Sequence, residues 1–203
     1  MKEQKMRSRT LVAAAGLAMA LAACGTDDAG TEGTEDGPDL TAAPEATWSQ
    51  MAGIAVPRAE QCPDETDPVE HGYAHTPQCA VIAAMTGQTL LATTGDNTWP
   101  QMASTILAPG PGKDQWAQAR ALMSVEGRVR NPAKFVGFQF TDYSQDRAQV
   151  LLAVEWPDGT LTAQPTQLAW QTGDWKLVLP TQQTAVDAVE LDNLDDFTEF
   201  RAD

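Results

Sequence analysis

Cations and the reactive side-chain types are scarce in this chain. Its 203 residues contain 13 Lys and Arg against 28 Asp and Glu, with two histidines, three cysteines and two tyrosines, for a net charge of −15. The shortage of cations excludes a nucleic-acid ligand, because phosphate binding requires clustered Lys and Arg. It also excludes an electrostatic grip on anionic lipid. A charged partner is expected to be basic, although surface acid also serves solubility alone. Two histidines restrict any Ser-His-Asp or Cys-His hydrolase to His71 or His75, and no nucleophile-elbow pattern is present. Pro109–Gly112 lacks the spacing and the lysine of a phosphate loop. The longest apolar run, Leu11–Ala23, falls short of the ~20 residues that span a bilayer, and no stop-transfer pattern follows it.

That run is nonetheless informative. Lys2, Lys5, Arg7 and Arg9 precede it, and it closes on Leu21-Ala22-Ala23-Cys24 before an acidic stretch of small residues, Gly25-Thr26-Asp27-Asp28. The arrangement resembles a bacterial lipoprotein signal, in which a peptidase cuts before a cysteine whose thiol carries diacylglycerol. A plain secretory signal has no use for cysteine at that place. The resemblance implies that residues 1–23 are removed and that Cys24 is lipidated. The protein would then be held on the extracytoplasmic face of the cell membrane, with a mature charge of about −18. Residues 24–45 are Gly, Thr, Ala, Pro and acid without Lys or Arg, the composition of a disordered linker.

The remaining residues, 46–203, are the size of one domain, and six tryptophans with a 42% apolar fraction supply a core. Order is expected to resume near Trp48, where Met51, Ile54 and Val56 add anchors. Thr76 and Pro77 start a helix running to about Ala92; its segment Ala80–Met85 is apolar all round, and Gly87 is a weak point. Further helices are expected over Trp99–Leu107 and, after Pro109-Gly110-Pro111-Gly112, over Asp114–Met123. Trp116, Ala119, Ala121, Leu122 and Met123 would form the inner face of the last.

Beyond residue 130 the apolar period changes to two. Val136, Phe138 and Phe140 form one strand, and Val150, Leu152, Val154 and Trp156 another, followed by a turn at Pro157-Asp158-Gly159. Leu161, Ala163, Leu168 and Trp170 continue the pattern with a bend at Pro165, and Trp175, Leu177 and Leu179 follow a turn at Gly173-Asp174. Helices followed by an antiparallel meander predict an α+β domain with N-terminal helices packed on a curled sheet. The segment from Ala185 to Asp203 carries seven acids against Arg201, yet its Val, Leu and Phe residues are able to dock it on the domain.

Cys62 and Cys79 are expected to pair as a disulfide in an oxidising compartment. Two alternatives remain open at this stage: a zinc set of Cys62, His71, His75 and Cys79, and a free thiol at a helix N-terminus. A pocket in the curled sheet would be lined by Phe138, Phe140, Tyr143, Trp156, Trp170 and Trp175. Asp142 and Tyr143 could serve there as base and hydrogen-bond donor, as in isomerases of this architecture. Against this, the aromatics read equally as core, and Trp170 with Trp175 as a cross-strand hairpin pair.

Trp48–Pro57, Gly72-Tyr73-Ala74-His75-Thr76-Pro77 with Ala80-Val81 and Ala83-Ala84, Gly173–Pro180, and Leu191 with Leu194-Asp195-Asp196-Phe197 together resemble a family of uncharacterised actinobacterial exported proteins found among genes of integrative conjugative elements. The resemblance implies a nuclear transport factor 2-like (cystatin-like) fold, shared by assembly subunits of type IV secretion machines. It carries no catalytic motif. Where that pattern has glycine before Pro63 and after Gln78, this chain has Cys62 and Cys79, which fits a bridge. A lipid signal also replaces the family's longer membrane anchor. The expected function is that of a non-enzymatic, membrane-tethered accessory subunit whose partner is another envelope protein, with neither cofactor nor metal. A small-ligand-binding lipoprotein is the alternative.

Overall fold

The computed structural model describes residues 37–200; the signal, Cys24 and the linker to residue 36 lie outside the described residues. The chain is held against the domain from Asp39 onward, earlier than the composition of the linker suggests. Gln78 Nε2 donates to the Asp39 carbonyl at 2.9 Å, and Thr198 Oγ1 donates to the Thr41 carbonyl at 3.1 Å. Ala43 and Ala46 pack on the core.

Strands β1 (Thr47–Met51) and β2 (Ile54–Arg58) form a hairpin whose turn, Ala52-Gly53, has positive φ at both residues. The anchors expected at Trp48–Val56 are therefore the two arms of one ribbon. A loop then leads to helix α1 (Pro77–Thr93), capped by the Thr76 side chain, which accepts from the Cys79 N–H at 3.2 Å. Ala80 through Met85 are all buried, because the helix lies between the hairpin and the main sheet. Helix α2 (Trp99–Ile106) follows as the sequence predicts.

Helix α3 spans Pro111–Arg120, three residues ahead of the expected start. Pro111 does not break it but opens it, since the N–H that proline lacks is unpaired in a first turn anyway. The helix also ends at Arg120, before Ala121, Leu122 and Met123, and the supposed inner face lies outward. Leu122 and Met123 are exposed, as are Ala119 and Ala121, and only Trp116 of that set is half-buried. The residues actually buried are Gly112 and Arg120.

Strands β3 (Lys134–Tyr143), β4 (Arg147–Glu155), β5 (Leu161–Gln171) and β6 (Asp174–Val178) form the predicted antiparallel meander. Bulges between Phe135 and Gly137 and between Phe140 and Asp142 interrupt β3, and such irregularities bend a sheet. No bend is required at Pro165. On one side it pairs with Leu151; on the other it falls between the residues of β5 that pair with β6 (Gln167–Gln171) and those that pair with β7 (Leu161–Ala163). A residue without an N–H is tolerated where the ladder is open on one side. The acidic segment is docked: β7 (Val189–Leu191) pairs with β5, and β8 (Thr198–Glu199) covers β3.

Gly87 is a contact point rather than a weak point. A Cβ there would lie 2.3 Å from Leu177 Cδ1, so α1 rests directly on β6. Gly87→Ala is expected to destabilise the domain by about 1–3 kcal/mol through overpacking, read as a lowered urea midpoint, even though alanine favours a helix. A midpoint at or above wild type would refute that close approach.

Candidate functional site

Cys62 and Cys79 are disulfide-bonded, with their Cα atoms 5.4 Å apart. The bond ties the loop after β2 to the first turn of α1. No zinc set forms around it. His71 Nδ1 lies 2.8 Å from the Val69 carbonyl and His75 Nε2 lies 2.6 Å from that of Gln145, so each of these nitrogens is a donor. Among the described residues no three His, Cys, Asp or Glu groups gather to hold a metal ion. The free-thiol alternative ends with the same bond.

The aromatics proposed for one pocket are divided among different places. Phe138 and Trp175 are each 1% exposed and fill the core. Phe140 packs edge-on against Phe138 and Tyr143, and Tyr143 tilts against Trp175. Trp170 and Trp175 face one another across the Thr172-Gly173 hairpin with centroids 5.3 Å apart, in the cross-strand pairing expected of them. The His75 ring stacks on Trp170 at 4.0 Å, an extension of the cluster that the sequence did not reveal. Asp142 and Tyr143 do not converge on a cavity. Asp142 pairs with Arg147 at 2.6 Å on the surface, whereas Tyr143 turns toward the aromatic core, where burial pushes its hydroxyl pKa up.

Of that list, Trp156 lines a sizeable pocket among the described residues. This space, about 540 Å³, opens between α1, α3, the β1–β2 hairpin and the ends of β3 to β5. Trp116, Phe135, Leu91, Val154 and Trp156 form its apolar wall, and Gln88, Gln164 and Lys134 supply polar groups. The Gln164 side-chain amide donates to Gln88 Oε1 at 3.0 Å, and Gln88 in turn donates to Thr166 Oγ1 at 3.1 Å. Trp156 is half exposed, yet its Nε1 donates to Thr162 Oγ1 at 2.9 Å, which fixes the ring. A tryptophan just after a strand end and a glutamine interrupting an apolar helix were the available signals. Their proximity depends on strand register and on how α1 crosses the sheet.

Beneath this wall lies a buried cation. Arg120, at the end of α3, is 4% exposed and sits over Trp99 at 5.8 Å. It donates to the carbonyls of Thr94 and Met123 and to Asp96 Oδ1 at 2.8 Å. Asp96 also accepts from Ser124 Oγ and the Val125 N–H. The Ser124 and Arg120 hydrogen bonds, in that order, hold its carboxyl down at about 2. A second charged group is buried at the β5–β6 hairpin. There Asp174 accepts from the Tyr73 N–H at 2.8 Å and from Lys176 Nζ at 2.6 Å, while Lys176 also donates to the Thr105 carbonyl. Both sets cross-link secondary elements and expose no reactive group to the pocket.

Residues 11–199 match a family described as a domain of unknown function, DUF8175. The chain belongs to that family. No curated protein matches it, and no solved structure does. Membership of DUF8175 thus covers nearly the whole chain.

Two outcomes test this part of the structure. Replacing Cys62 and Cys79 together by alanine should cost about 3 kcal/mol, the entropy released by a loop of this size, as a lower urea midpoint at nearly constant slope. Asp96 has a depressed carboxyl pKa, so its contribution is present above the unfolded value of about 4 and is lost as pH falls through about 2. Stability measured between those limits should fall less steeply with acid in Asp96→Asn than in wild type, and parallel acid limbs would refute the assignment.

Proposed function

We propose that this protein is an exported, lipid-anchored domain that acts by binding another envelope protein rather than by catalysis. The observation that carries the reading is the Cys62–Cys79 disulfide, which suits an extracytoplasmic compartment and a reducing cytosol poorly. Cys24 in its lipoprotein-like setting supplies the anchor, cell membrane is the location, and the acidic residues before the domain act as a stalk. Among the described residues no helix is long and apolar enough to cross a membrane. The separation of Asp142 from Tyr143 takes support away from an isomerase-type site.

The partner is basic. Asp187, Glu190, Asp192, Asp195, Asp196 and Glu199 lie exposed along the docked C-terminal segment, a surface that favours a cationic protein and repels nucleic acid. The arrangement of three helices and a bulged antiparallel sheet suits a nuclear transport factor 2-like fold. With the conjugative-element resemblance, this favours an accessory role in conjugative transfer or envelope assembly.

Growth with an alkyne analogue of palmitate should label the wild-type protein and leave Cys24→Ala unlabelled. Intact mass should show an acylated amino terminus at residue 24. An unlabelled wild type retaining residues 1–23 would overturn the anchored reading, and a gene deletion with normal transfer and envelope integrity would overturn the accessory role.

A further inference from the structure

The pocket between α1, α3 and the strand ends has the form of a ligand site. Its volume of about 540 Å³ lies within the ~300–1,000 Å³ of small-molecule sites. Its walls are mostly apolar, with Trp116 approaching from the helical side and Trp156 from the β4–β5 turn. The two indoles belong to different elements and make no ring contact with one another, so a gap separates them. Trp156 is the more telling of the two. It is 47% exposed, yet the Thr162 hydroxyl holds it in one orientation over the pocket. A large apolar ring fixed in the open is a wall awaiting a partner surface. Inside, Gln164 donates to Gln88, which donates in turn to the buried Thr166 hydroxyl outside the lining, so the two glutamines present a neutral surface rather than a charged one.

Charge distinguishes the mouth. Lys134 is the one cation among the lining residues, and no carboxylate lines this pocket. Glu155 stands opposite Lys134 in the strand register, and the two border a neighbouring pocket of about 530 Å³ that Phe135 also lines; Lys134 makes no ion pair among the described residues. Within the lining of the 540 Å³ pocket Lys134 is therefore the one charged side chain, an unpaired ammonium beside an apolar cavity.

We propose that this pocket binds a single-chain amphiphile with an anionic head, its tail between Trp116 and Trp156 against Phe135, Leu91 and Val154, and its head at Lys134. The site is independent of the protein-binding reading, because it lies on the helix-covered face and uses none of the exposed acids.

Calorimetric titration of the full-length Cys24→Ala chain, with its disulfide verified by mass, tests the assignment. The probes are dodecanoate and dodecanol, both below their aggregation limits. Dodecanoate should bind saturably at one site and more tightly than the alcohol. Lys134→Gln should weaken dodecanoate about fivefold, the worth of one rim ion pair, and leave the alcohol unchanged. Ala133→Trp, at the mouth, should abolish both. Trp156→Ala, whose side chain is largely outside the core, should weaken both while keeping the wild-type melting temperature. Absence of saturable binding would overturn the proposal. So would binding unchanged by Trp156→Ala, or equal affinity for acid and alcohol that ignores Lys134.

Discussion

Direct contact of α1 with the sheet is the constraint from which the other packing follows. Gly87 meets Leu177 without an intervening side chain, and the alanines of the same helix keep its axis close on its other sides. A helix apolar all round cannot stay at a surface, so it requires cover on two sides. The main sheet supplies one and the β1–β2 hairpin the other. The open-ended pocket lies where α1, α3, the hairpin and the ends of β3 to β5 come together.

The same constraint explains how charge is handled. Packing around one helix brings the end of α3 and strand β6 inward, and with them Arg120, Asp174 and Lys176. None of the three is left alone. Asp96 and two carbonyls surround the guanidinium, and Asp174 and Lys176 satisfy each other with help from Tyr73 and Thr105. Such groups are costly to bury and costlier to orphan, which suits them to fixing the positions of the elements they join. The disulfide does the same work for the loop before α1, which Val69 and Tyr73 also anchor in the core.

Much of the fold was legible because local rules were strong where they applied. Thr76 and Pro77 start α1, alternation marks β3 to β6, and the turns follow their glycines. The errors have physical causes. Pro111 reads as a breaker in isolation, but whether a proline ends or begins a helix depends on the residues that close around it. Leu122 and Met123 carry the composition of an inner face and lie outside, because α3 had already ended. The candidate pocket was legible only in part. Phe138 and Trp175 have the residue types of a lining and instead fill the core, since alternation tells which residues share a face but not whether that face encloses space.

Composition and spacing by themselves determined the acidic character, the helix and strand periods, the turn sites and the two cysteines available to pair. These properties are set by neighbours along the chain. Tertiary structure decided that Cys62 meets Cys79, that the acidic segment docks as β7 and β8, and that Lys134, Trp116 and Trp156 border one cavity. Residues from β3, α3 and the β4–β5 turn become neighbours only after α1 crosses the sheet, and that crossing is set by side-chain packing between segments distant in the chain.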